Sequence, residues 1–446
     1  MNLEGFGLLR ALIFSVLLLV VACGPRTTPF ETAPRPDVPG FLASVPAGHT
    51  TWSNSSLADL FVLLTHGLES GRSRKNLQRF ETAVNVGMIG EAAPRYRKFL
   101  GELLAEIRNR SEVDIHEGTP PHNLLIRFIP GEEFLPHTSN QCVILFGQPT
   151  WPEFLLDTNA YSGLVTQKQD HQEKMSIFIP DTIEPFKVRE CLLEEITQAL
   201  GTANDLFGLA TTISNDDNAH SWPTAIDYLM LKALYDPRLS SGLSKAETRK
   251  QVLPILQEIN PQGRSAPDLP TIRQKDFKDW RLTLFSMFDD DLTDERRLEL
   301  GRQVYHEAES KAPDSAYECM GASTYAHAAG LADDPEAPIL HARAIEICTR
   351  VHGADDIRIA VLRLDRSLDN LNEDRYRMAK DEAEAVLPAL LSHGLEDQVA
   401  LSWLIQAVAA LELGDPHWES DYLEVALAWA AYAFGDDNRL TEKLRR

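Results

Sequence analysis

Residues 191–205 read Cys191-Leu192-Leu193-Glu194-Glu195-Ile196-Thr197-Gln198-Ala199-Leu200-Gly201-Thr202-Ala203-Asn204-Asp205, and their spacing decides how the first half of the chain is read. A helix from about Lys187 to Leu200 is expected, closed by Gly201. Glu194 and Gln198 are four residues apart and share one helix face. A glycine just past the helix end lets the chain turn sharply, so Asn204 can approach that face.

Outward from this helix the signals alternate. Ala83-Val84-Asn85-Val86 reads as a strand, and Pro94 then opens an amphipathic helix through Tyr96, Phe99, Leu100, Leu103, Leu104 and Ile107. Leu124–Ile129, stopped by Pro130, reads as a second strand. Cys142–Phe146 and Met175–Ile179 follow as a third and a fourth. A further apolar helix spans Ala225 to Leu234 and ends before Asp236-Pro237. Strands and helices in this mixture make an α+β or α/β unit, assigned here to residues 49–259.

Asn260-Pro261-Gln262-Gly263 through Pro267 and Pro270 marks the internal boundary, and residues 260–290 read as a linker. From 291 to 446 the strand signal is gone and the chain is Ala/Leu-rich and helical. Gly353-Ala354-Asp355-Asp356, Gly394-Leu395-Glu396-Asp397 and Gly435-Asp436-Asp437-Asn438 recur at a fixed interval, and one step back lands on Ala312-Pro313-Asp314. An alanine precedes each glycine by the same distance: Ala344, Ala385 and Ala426. A small residue at one point per unit is what close packing of stacked helical hairpins requires.

The N-terminus points to export. Arg10 precedes an apolar run, Ala11 to Ala22, which ends in Val20-Val21-Ala22-Cys23-Gly24. A run this short, with small residues at its end, reads as a signal peptide over residues 1–22. Cys23 is the expected lipidation site, and Gly24 in place of an aspartate favours the outer membrane. Residues 23–48, with Pro25, Pro29, Pro34, Pro36, Pro39 and Pro46, read as a semi-extended tether. The expectation is a periplasm-facing, lipid-anchored protein.

The chain has 446 residues, 66 acidic against 43 basic, and a formal charge of −23. That balance argues against nucleic acid or anionic lipid as a partner. With Cys23 lipidated, Cys142, Cys191, Cys319 and Cys348 remain, two in each half. They invite two bridges in an oxidising compartment, with reduced core cysteines as the alternative. No G-x-S-x-G, P-loop, dinucleotide fingerprint or CxxC is present. His220 reads as a solvated loop histidine, not a metal ligand, and Asp289-Asp290-Asp291 as a solvated capping patch.

The stretch 191–205 resembles the metzincin zinc-protease pattern H-E-x-x-H-x-x-G-x-x-H with its three histidines replaced. Glu194, Gln198 and Asn204 stand at the ligand positions, Glu195 keeps the acid–base position and Gly201 the turn. Thr212–Asp216 occupies the place of the methionine-containing turn without a methionine, and Pro223-Thr224-Ala225-Ile226-Asp227 is similar to the start of the closing helix. Glu194–Gly201, Asn204-Asp205 and Leu234–Leu239 together resemble a family of proteobacterial lipoproteins labelled DUF2927. Residues 292–446 resemble tetratricopeptide-type repeats of the longer variety. The resemblance implies an α+β zincin-like domain, a twisted mixed sheet with an active-site-type helix, followed by an all-α repeat domain.

The altered ligand set does not suit zinc, which takes imidazole, thiolate and carboxylate donors. One carboxylate and two amides suit a harder divalent ion held weakly, or no metal. The reading therefore names no cofactor and expects a pseudo-metallopeptidase that binds a protein or peptide. The helical repeats are its expected partner-binding scaffold and the lipid its contact with the membrane. The alternative is a metal-assisted hydrolase acting on peptide or peptidoglycan stems, with Glu195 as general base.

Overall fold

A computed structural model of the chain describes residues 52–68, 73–138, 141–156, 172–206, 209, 212–214, 221–269, 277–287 and 292–435. Residues 1–51, with the expected signal peptide, lipidation site Cys23 and tether, lie outside the described residues, as do Asn215, Asp216, His220 and Asp289–Asp291. Two compact units emerge, one over Ala43–Ile272 and one holding Arg273–Arg446. Among the described residues no helix is long and apolar enough to cross a membrane.

The first unit is built on a five-stranded sheet: β1 (Val84–Ile89), β2 (Ile115–Glu117), β3 (Leu124–Ile129), β4 (Val143–Phe146) and β5 (Met175–Pro180). Their spatial order is β2-β1-β3-β5-β4. The first four in that order are parallel, and β4 runs antiparallel along β5, with Phe146 opposite Met175. The parallel core explains the composition of its strands. Every residue of β5 is buried, and five of the six in β3, because helices and loops cover both faces.

Helix α1 (Asn54–His66) precedes the sheet and α2 (Ala93–Ser111) follows β1. Ser53 caps α1 by accepting from the Ser56 N–H, and Leu57, Leu60, Phe61 and Leu64 form its buried stripe. Two short helices, α3 (Gly131–Phe134) and α4 (Trp151–Leu156), flank β4. Phe134 stacks on Trp151 at 5.0 Å, and Phe154 stacks on Phe178 of β5 at 6.2 Å. Helix α5 (Pro185–Ala199) packs on β4 and β5; α6 (Ala225–Leu234) packs on α2, and α7 (Lys245–Ile259) on α1.

The division between the units falls between Ile272 and Arg273, inside the 260–290 segment read as a linker. Asn260 is buried, donates Nδ2–H to Asn54 Oδ1 at 2.9 Å, and accepts at its carbonyl from Asn54 Nδ2. The Ser53 N–H donates to the Pro267 carbonyl at 2.7 Å. Residues 260–269, a short 3₁₀ helix (Pro261–Arg264) followed by irregular chain, are therefore tied to the start of α1. Helix α8 (Lys278–Ser286) belongs to the second unit, where Trp280 is fully buried and donates Nε1–H to the Val304 carbonyl at 2.7 Å. Turn residues report irregular backbone, and irregular backbone need not be a free linker.

The second unit is all-helical: α8, then α9 (Asp294–Lys311), α10 (Ala316–Leu331), α11 (Ala337–His352), α12 (Ile357–Asn372), α13 (Tyr376–His393), α14 (Glu396–Glu412) and α15 (Glu424–Phe434). Consecutive helices pack on one another from α9 to α15, and α12 also touches α10 and α14. The repeated glycines are helix stops. Gly353, Gly394 and Gly435 follow α11, α13 and α15 with φ of 93°, 72° and 79°. The acids beside them start the next helix: Asp356 caps α12 through the Arg358 N–H.

The alanine expectation holds at two of three places. Ala344 and Ala426 are buried, but Ala385 is exposed and Ala383 is the packed residue of α13. Pro388 lies between Ala385 and Gly394 and removes a bond from the i→i−4 ladder.

Candidate functional site

Helix α5 carries the expected cluster, and its end is closed from several directions. The Thr202 hydroxyl donates to the Thr197 carbonyl, Gln172 Nε2 to the Ala199 carbonyl at 2.6 Å, and the Tyr235 hydroxyl to the Leu200 carbonyl at 3.0 Å. Gly201 takes φ +130°, and a Cβ there would come within 2.9 Å of the Gln78 carbonyl and of Leu234 Cδ2. Only glycine meets both demands.

Gln198 is the centre of the cluster. It is 2% exposed, and its Nε2 donates to Glu194 Oε1 at 3.2 Å and to both oxygens of Asp205 at 3.1 Å. Glu195 is buried. Asn204 takes another course. Its Nδ2 donates to the Leu63 carbonyl in the last turn of α1 at 2.8 Å, close against Gly67, where a Cβ would meet that nitrogen at 2.1 Å. The structure thus brings Glu194 and Gln198 together, sends Asn204 to the end of α1, and sets Asp205 in the place expected of Asn204. Asp205 stands in the Asn-Asp pair of the motif, but spacing alone gave no reason to choose the second residue over the first.

These residues do not fit zinc. Glu194, Gln198 and Asn204 do not converge on one point, and the amide between the two carboxylates presents its N–H donors, not a lone pair. Among the described residues no group of three or more His, Cys, Asp or Glu side chains is placed to hold a metal.

A second buried carboxylate organises the next loop. Asp227, in the first turn of α6, accepts from the Thr212 hydroxyl, from the Ile213 N–H at 3.0 Å, and from the Thr224 N–H and hydroxyl at 2.6 and 2.9 Å. Burial pushes its pKa up, while the bonds from Thr212, Thr224 and Ile213 pull against that. Thr224 and Asp227 form a capping box, a pattern legible as Thr-x-x-Asp. The tie from residues 212–214 to α6 is a tertiary fact that spacing does not carry.

The four cysteines among the described residues are paired, Cys142 with Cys191 at a Cα separation of 6.0 Å and Cys319 with Cys348 at 4.7 Å. The first ties the start of β4 to α5, three residues before Glu194. The second joins α10 to α11.

Residues 54–254 match the family model described as protein of unknown function (DUF2927), so the part of the chain from α1 to α7 is similar to that family. No curated protein and no solved structure matches the chain.

Proposed function

We propose that the first unit is a zincin-like, degenerate peptidase domain that binds a protein or peptide without cleaving it, and that the helical second unit, read as tetratricopeptide-like repeats, serves as a further interaction scaffold. In this reading the protein is held at the cell envelope, facing the periplasm, through a lipid on Cys23. One observation carries the non-catalytic part. The Gln198 amide lies between the Glu194 and Asp205 carboxylates and satisfies them, so two of the three positions that would hold a metal are spent on an internal hydrogen-bonded plug. The mixed sheet with an active-site-type helix after its last strand supports the zincin-like part.

The test is elemental analysis of the purified chain together with a peptide-cleavage assay. Substoichiometric zinc and no cleavage are expected, with both unchanged in Gln198→Leu. One zinc per chain in wild type, lost in Glu194→Ala along with peptide cleavage, would replace this reading with a hydrolase using Glu195 as general base.

A further inference from the structure

Arg74 lies on the connection between α1 and β1, and its backbone is fixed at the end of α1. Its N–H donates to the His66 carbonyl at 2.7 Å, and its own carbonyl lies 3.4 Å from His66 Nδ1. His66 Nε2 is 3.0 Å from the Thr248 hydroxyl, so the histidine is held in place from both sides. The Arg74 side chain is buried, at 4% exposure, and its Cζ sits 5.1 Å from the centre of the Phe146 ring at the end of β4. The guanidinium carbon thus lies over the face of the Phe146 ring. Its Nε, Nη1 and Nη2 have no hydrogen-bond partner among the described residues. Burial lowers its pKa only to about 10, so the group is charged at neutral pH.

A buried charge without a partner costs several kcal/mol, and proteins rarely keep one. Here the backbone is anchored and the guanidinium carbon lies over an aromatic ring, while the N–H groups are left unbonded. A planar anion meeting those N–H groups edge to edge supplies two parallel charge-assisted hydrogen bonds. Among the described residues no carboxylate does so. We infer that Arg74 is the receptor for the carboxylate of a bound ligand, with Phe146 as the platform beneath the guanidinium. The ligand is a free carboxylate or the C-terminal end of a peptide. The inference does not depend on whether the α5 cluster binds a peptide.

The test uses the purified full chain at low salt with three probes: acetate, N-acetyl-dialanine with a free C-terminus, and its C-terminal amide. Calorimetric titration should show the free acid binding at least about tenfold more tightly than the amide, as expected when charge-assisted bonds are lost. Arg74→Lys keeps the charge without the fork and should weaken acid binding by about tenfold, and Arg74→Met should abolish it. Without ligand, Arg74→Met should melt no lower than wild type, because an unpaired buried charge has been removed. Equal binding of acetate and the dipeptide would assign a small free carboxylate, and preference for the dipeptide a chain end; either supports the site. Acid and amide binding alike, no binding of any probe, or ligand-free Arg74→Met melting far below wild type would each overturn it. The last would make Arg74 half of an internal ion pair.

Discussion

In the first unit the carbonyls that end α5 are taken up by Gln172 and Tyr235, which come from well before and well after the helix. In the second unit the ends of α11, α13 and α15 are each closed by the glycine that follows, Gly353, Gly394 and Gly435. The same kind of orphaned group is thus met by distant side chains at the end of α5 and by local backbone at the ends of α11, α13 and α15. The difference has an energetic meaning. A change in the first unit should propagate through a shared network, whereas a change among the stacked helices should stay near its own pair.

The disulfides offer the largest effect with which to break that contrast. Cys142–Cys191 closes 49 residues and Cys319–Cys348 closes 29. Loop-closure entropy gives about 4 kcal/mol for the first and about 3.6 kcal/mol for the second, nearly equal in size. Their reach should differ. Cys142→Ala with Cys191→Ala should lower hydrogen-exchange protection across the whole first unit, and Cys319→Ala with Cys348→Ala chiefly across α10 and α11. Uniform loss of protection through all the helices of the second unit would abolish the distinction.

A smaller effect comes from His66, which joins α1 to Thr248 of α7. Burial, aided by Lys245 and Arg74, lowers its pKa from 6.5 to about 4. The neutral ring is the form that folds, so its contribution is complete above about pH 6.5 and is lost as pH falls towards 4. The loss is on the order of 2–3 kcal/mol. Chemical denaturation of wild type and His66→Gln from pH 7 to pH 4.5 should show the gap between them narrowing on acidification; a constant gap would refute the assignment.

The smallest effect tests the packing inside one helix. Ala383→Leu should cost about 1–2 kcal/mol by overfilling a buried site, and Ala385→Leu less than about 0.5 kcal/mol because that position is exposed. Thermal melts of the two variants decide this, and a larger cost at Ala385 would return it to the packed position.

How much of this was legible follows from what spacing encodes. β3 and β5 are largely apolar runs, broken only by Arg127 and Ser176 and stopped by Pro130 and Pro180, and they are found where those runs lie. β2 is three residues, Ile115-His116-Glu117, too short to show a period, and it exists because β1 pairs with it. The proximity of Glu194 and Gln198 was legible because it is local to one helix. The direction of Asn204 was not, since its partner is a carbonyl on α1, 141 residues earlier. For the same reason nothing in the motif singles out Asp205, and nothing in the neighbourhood of Arg74 names Phe146.

The position of β5 between β3 and β4 has a consequence for how the chain is made. Both neighbours leave the ribosome before the strand that will separate them, so each waits with an unpaired edge until residues 175–180 appear. At translation speeds of ~5–20 residues per second that delay is roughly 2–10 s. During that interval two strand edges are open to capture by another nascent chain. Slowing translation just after β4 should lengthen the interval and raise the fraction of aggregated chain, while a pause placed after β5 should leave it unchanged.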